Sequence, residues 1–152
     1  MTIDKIAGII GWPVSHSLSP LMHNAAFLEL GLSSWVYIPM PVPKTPSFRI
    51  KEAILGLRAL GFKGANVTVP YKEMVLPYMD YMSDSARSIG AVNTIVIDRA
   101  DLLCGHNTDG LGFVNDLRER HIHTAAMDVL LLGAGGSARA LAHALLEHGC
   151  NS

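Results

Sequence analysis

The sequence predicts an α/β chain: a three-layer, mostly parallel sheet unit, followed by one further βα unit. Three observations carry this expectation. Apolar, β-branched runs alternate with helical stretches from residue 5 onward, the pattern of a sheet with helices on its faces. Glycines at 31 and 61 close the first two helical stretches. Near the end, Val129-Leu130-Leu131-Leu132 leads directly into a glycine-rich loop and a new apolar helix.

Taken in order, Lys5 to Trp12 is a first strand. Ser19-Pro20 then offers an N-cap and a first-turn proline to a helix carried by Leu21, Ala25 and Leu28 up to Gly31. Trp35 to Val42 is a second strand, and Pro39 and Pro41 imply an edge position or an early exit, because proline cannot donate to a ladder. Ser47 to Leu60 is a second helix and Gly64 to Val69 a third strand, stopped by Pro70. A short apolar helical stretch after Lys72 and a helix over Ser83 to Ser88 lead to the β-branched run Ala91 to Ile97. Leu102 to Asn107 pairs with it through the turn Arg99-Ala100-Asp101. Asp109 to about His121 is helical, and Asp128 to Leu132 opens the last unit.

The bulk properties exclude more than they select. The chain has 152 residues, 49% of them hydrophobic, and a mean hydropathy of +0.29, enough for one sizeable core and too apolar for a solvated tail. Its 12 basic and 13 acidic residues give a formal charge of -1, with no electrostatic footprint for nucleic acid or an anionic membrane. No segment approaches the ~20 apolar residues of a membrane helix. The two cysteines, Cys104 and Cys150, make a disulfide framework improbable and point to the cytoplasm. The expected partner is therefore a small molecule, with no nucleic acid and no membrane. His106, His121 and His123 lack a second ligand pair or a carboxylate cluster, so no metal is expected. Met74, Met79 and Met82 read as core filler.

Three runs carry chemistry. In Gly64-Ala65-Asn66-Val67-Thr68-Val69-Pro70-Tyr71-Lys72, polar Asn66 and Thr68 share one strand face, and Lys72 lies at the strand's C-terminal end. In Gly105-His106-Asn107-Thr108-Asp109-Gly110, Asp109 sits where a loop turns into a helix, a site equally suited to an ordinary N-cap. Gly133-Ala134-Gly135-Gly136-Ser137-Ala138-Arg139 has the strand, loop and helix context of a dinucleotide loop, the first βα unit of a Rossmann domain. Its first glycine permits the tight turn, the second lets backbone approach a pyrophosphate, and the helix N-terminus supplies donors. A plain structural turn is the alternative; a P-loop is not, since no Gly-Lys-Ser/Thr follows. Arg139 would either approach phosphate or hold local carbonyls. A cation, a carboxylate and a pyrophosphate cradle together suggest proton transfer beside a hydride-carrying cofactor.

Taken with Ser15-His16-Ser17-Leu18-Ser19-Pro20 and Gly90-Ala91-Val92-Asn93-Thr94, these runs resemble, in order, the N-terminal part of the shikimate dehydrogenases. That resemblance implies NADP-linked reduction of 3-dehydroshikimate to shikimate, toward aromatic amino acids. It implies a shikimate-binding catalytic domain over residues 1–107, and a linker helix with an incomplete Rossmann NADP-binding domain over 108–152. By the same resemblance Ser17 and Ser19 bind the substrate carboxylate, while Thr68 and Asn93 bind ring hydroxyls. Lys72 and Asp109 are catalytic and also touch substrate. Gly133, Ala134, Gly135, Gly136 and Ser137 hold the cofactor, Asp84 falls near it, and Asn66 stands behind the site. A quinate- or NAD-preferring relative, and a fragment that binds shikimate without catalysis, remain as alternatives. The residues that separate NAD from NADP lie ~20 positions past the loop. The chain reads as truncated, with a second copy as one possible cover for its last apolar strand.

Overall fold

The computed structural model describes residues 3–44 and 49–151. It holds a six-stranded sheet of β1 (Lys5–Gly11), β2 (Trp35–Pro41), β3 (Gly64–Val67), β4 (Tyr81–Met82), β5 (Thr94–Ile97) and β6 (Leu103–His106), in the spatial order β2-β1-β3-β5-β6-β4. β1 pairs in parallel with β2 and β3, and β4 with β6. β5 alone runs antiparallel to both neighbours. The two prolines of the second strand do sit on an edge. The carboxylate of Asp98 accepts from the amides of Ala100 and Leu102 and closes the tight turn between β5 and β6.

Successive side chains of β1 point to opposite faces, and this builds the three layers. Ile10 joins a cluster with Val67, Ile95 and Leu103 that also takes in Ile54 and Leu57 of α2 (Ile50–Ala59). Ile9 joins Val14 and Tyr37 on the other face, where Phe27 of α1 (Ser19–Glu29) packs. α2 buries Ile50, Ile54 and Leu57, one stripe at i, i+4 and i+7. α1 buries none of its residues, and Leu21 and Leu28 stand exposed. Gly31 and Gly61, at φ +68° and +73°, end the two helices in the left-handed region that glycine adopts without strain. The expected start of the second helix at Ser47 lies outside the described residues.

Several boundaries shift. β3 ends at Val67, not Val69, although Thr68 still donates its amide to Ile10 at 2.9 Å. The stretch after Lys72 is a turn with a 3-10 segment at Leu76–Tyr78, anchored by fully buried Tyr71 and Val75; Met74, Met79 and Met82 pack against the same cluster. α3 (Asp84–Ile89) is capped by Ser83, whose hydroxyl accepts from the Ala86 amide. The strand expected from Ala91 begins only at Thr94. Val92 and Asn93 instead spend their amides on Lys72 at 2.8 Å and His106 at 3.0 Å.

The last unit differs most from expectation. α4 (Asp109–Glu119) and α5 (Gly136–Glu147) form and pack on each other at Gly110, where an added Cβ would meet the Ala140 carbonyl at 2.6 Å. Val129-Leu130-Leu131-Leu132, expected as a strand, forms none. A strand exists through its ladder, and among the described residues no neighbour offers this run hydrogen bonds. Among the described residues a parallel bridge, Asp128 to Asn151, joins the two ends of the unit across α5. Parallel pairing is what a βαβ crossover produces, so the Rossmann-type unit is present as its helix and a rudiment of its sheet.

Candidate functional site

Two cavities open where the C-terminal ends of β1 and β3 reach the surface. The first, about 370 Å³, is lined by Trp12, His16, Ser17, Ser19, Thr68 and Val69 among others. Ser17 lies in the loop between β1 and α1, and its hydroxyl accepts the Ser19 amide at 3.2 Å. Ser19 is the first residue of α1 rather than its cap; the cap position is Leu18, and the Ser17 hydroxyl takes the first amide of the helix. The cavity therefore combines two serine hydroxyls and a threonine hydroxyl, a donor set suited to an anion such as a carboxylate.

The second cavity, about 330 Å³, is lined by Val69, Pro70, Lys72, Glu73 and residues 135–138 of the glycine loop and α5. Val69 walls both spaces. Lys72 Nζ donates to Asp109 Oδ2 at 2.6 Å, with the two side chains only 14% and 23% exposed. Partial removal from water strengthens such a charge-assisted bond relative to a surface pair. The other oxygen, Asp109 Oδ1, accepts from Asn93 Nδ2 at 2.6 Å. Lys72, Asp109 and Asn93 are thus one hydrogen-bonded chain, built from the loop after β3, the first residue of α4, and the loop before β5.

Asp109 does not spend its carboxylate on capping α4. The cap residue, Thr108, makes no side-chain cap bond either. Asn107, buried among the segments before α4, accepts the Asp109 amide at 3.1 Å and donates to the Ala91 carbonyl at 3.0 Å. Asn93 Oδ1 accepts the Thr108 amide at 3.0 Å. Asn107 and Asn93 therefore take the amides that open α4 and leave the Asp109 carboxylate to face Lys72. Sequence reading gave Asn107 and Thr108 no role, although both lie inside the run that drew attention to Asp109.

The remaining expected residues fall on both sides of the site. Gly135, Gly136 and Ser137 line the Lys72 cavity; Gly133, at φ +127°, and Ala134 do not. Asp84 is the exposed first residue of α3 and lines neither cavity. Arg139 pairs with Glu73 at 3.0 Å and donates to the Gly90 carbonyl at 3.0 Å. Asn66 accepts from the Tyr37 hydroxyl at 2.7 Å and donates to the Asn93 carbonyl at 3.3 Å, so it stands behind Asn93. Burial pushes the Tyr37 hydroxyl up to about 12, which keeps it neutral at any ordinary pH.

Residues 9–95 match the family described as the shikimate dehydrogenase substrate binding domain. The chain belongs to the shikimate dehydrogenase family. A curated relative, the shikimate dehydrogenase (NADP(+)) of Carboxydothermus hydrogenoformans, is 50% identical over 145 residues, 95% of this chain and 50% of the relative. Shikimate dehydrogenase 1 from Peptoclostridium difficile superposes with a TM-score of 0.89 at 33% identity, over 97% of this chain and 53% of that one. The Thermus thermophilus shikimate 5-dehydrogenase, solved with NADP(H) and shikimate, gives 0.87 at 38% identity, over 97% and 54%. The chain spans about half the length of the curated relatives it matches. Among the described residues, no helix is long and apolar enough to cross a membrane.

Proposed function

We propose that this chain carries the substrate site and the proton-transfer group of an NADP-dependent shikimate dehydrogenase, interconverting 3-dehydroshikimate and shikimate on the way to aromatic amino acids. One observation carries the reading: Lys72, paired with Asp109 at 2.6 Å, lines the same cavity as the glycine loop. Residues 1–107 supply the substrate domain and 108–152 the link to the nucleotide domain. The enzyme works in the cytoplasm, where Cys104 and Cys150 stay reduced, and a second copy of the chain is one surface suited to cover Leu130 and Leu132.

The loop suits a dinucleotide. Gly135, the cap residue of α5, adds no side chain to block the helix amides, and a Cβ there would meet nothing within 4 Å. Free amides at a helix N-terminus fit a pyrophosphate. When bound, NADP supplies or accepts the hydride. Everything else falls to side chains: Ser17 and Ser19 hold the substrate carboxylate, and Thr68 and Asn93 take ring hydroxyls. As the carbonyl carbon is reduced, charge grows on its oxygen, and the Lys72 ammonium stabilises it and gives up a proton. In the reverse direction the neutral amine takes that proton back. Asp109 orients Lys72 and accepts from a substrate hydroxyl.

The test is Lys72→Ala in the full-length protein. Turnover should fall on the order of 10²- to 10⁴-fold, the usual contribution of a positioned acid or base, with little change in thermal midpoint. Unchanged turnover would remove Lys72 from the chemistry, and unfolding of the variant would make its role structural.

A further inference from the structure

Ser137 belongs to the cofactor loop by position, yet its side chain has another partner. Lys72 Nζ donates to Ser137 Oγ at 2.9 Å, across 65 positions of sequence. The approach is built into the backbone. An added Cβ at Gly136 would meet Ala91 Cβ at 2.9 Å and Lys72 Cβ at 3.5 Å, so the absence of a side chain there lets α5 begin against the lysine stem. Next along the chain from Lys72, Glu73 pairs with Arg139 one turn into α5, and Arg139 also donates to the Gly90 carbonyl. The serine hydroxyl is held at the lysine by independent contacts on either side of it.

An ammonium has three tetrahedral N–H donors on a flexible four-carbon stem. A single partner leaves the group free to rotate about that bond. Two partners fix it and so fix the direction of the third N–H. Asp109 and Ser137 are those two partners.

We propose that Ser137 is a positioning residue for Lys72: its hydroxyl, together with Asp109, aims the remaining ammonium proton at the substrate oxygen. This rests on Lys72 being the proton-transfer group. The loop that receives the nucleotide then also sets the proton donor, so hydride and proton are registered to each other by two adjacent residues. Gly136 provides the close approach and Ser137 the hydrogen bond.

The experiment compares wild type, Ser137→Ala, Ser137→Thr and Lys72→Ala in the full-length enzyme, measuring kcat, both KM values and the D2O effect on kcat. Ser137→Ala should lower kcat by about 10- to 100-fold, the scale of an ångström-sized misplacement. Both KM values should stay within about 2-fold, and the D2O effect should grow as proton transfer becomes slower. Ser137→Thr, which keeps the hydroxyl, should recover most of the rate. An unchanged kcat in Ser137→Ala, or a rise in the KM for NADP alone, overturns the proposal and leaves Ser137 to the cofactor or to neither. Equal loss of rate in the alanine and threonine variants with no change in the D2O effect also overturns it. Wild-type turnover in Lys72→Ala is a different failure, that of the reading beneath.

Discussion

Ile6 to Ile10 and Val129 to Leu132 are both apolar runs that lead through a loop into a helix, yet they meet opposite ends. The first is the body of β1, flanked by β2 and β3, with Ile10 1% exposed. The second has no ladder, and Leu130 and Leu132 are 85% and 87% exposed. Its side chains still alternate. Leu131 and Val129 line a cavity against α5 with Leu145, while their neighbours point outward. Local pattern sets which way side chains face. Pairing decides whether a strand exists, and pairing is a property of what lies alongside.

The contrast should be plainest in stability. Ile54→Ala removes a fully buried side chain from the cluster around Ile10, Val67 and Ile95. It should cost about 2–5 kcal/mol, the range for large-to-alanine core substitutions, read as a lowered urea midpoint. A loss below about 1 kcal/mol would mean that the first unit's core is far looser than its packing indicates.

The packing of α4 on α5, inside the last unit, comes next. At Gly110 an added side chain meets the Ala140 carbonyl and, at 2.8 Å, Ala144 Cβ, both on α5. Gly110→Val should therefore force α4 and α5 apart at a cost of about 1–3 kcal/mol, typical of overpacking. The damage should be local. Amide exchange should quicken in α4 and α5 while β1 and β3 keep their protection. Uniform loss of protection across the sheet would show that the two units unfold as one.

The same distinction explains what was readable in the sequence. Strands that alternate with amphipathic helices announce themselves, and the edge position of β2 follows from the chemistry of Pro39 and Pro41. Lys72 and Asp109 stand out in the sequence as charged residues where a strand ends and where a helix begins, beside the open rim of an α/β sheet, whereas Ser17, Ser19 and Thr68 stand out only through the resemblance to the shikimate dehydrogenases. β4 escaped notice: two residues carry no periodicity, and its pairing to β6 is purely tertiary. Asn107, Thr108 and the hydroxyl of Ser137 escaped for a related reason. Their partners are Ala91, Asn93 and Lys72, brought close only by the completed fold. Gly110 carried a signal that went unread, since a glycine inside a helical pattern costs stability relative to alanine and implies close packing.

The smallest effect belongs to Leu130→Ser. In the core such a change would sacrifice a transfer free energy of about 1.5–3 kcal/mol and bury a hydroxyl as well. At 85% exposure almost none of that transfer has taken place, so the substitution should move the stability of this 152-residue chain by no more than about 0.5 kcal/mol. It should instead act on association, because Leu130 and Leu132 together present an outward apolar face with unpaired backbone beside it. Sedimentation across a concentration series reads this directly. The wild-type chain should gain mass as concentration rises and Leu130→Ser should gain less, with both unfolding at the same midpoint. A large fall in that midpoint would mean that Leu130 is covered in solution and that the run does find a partner within its own chain.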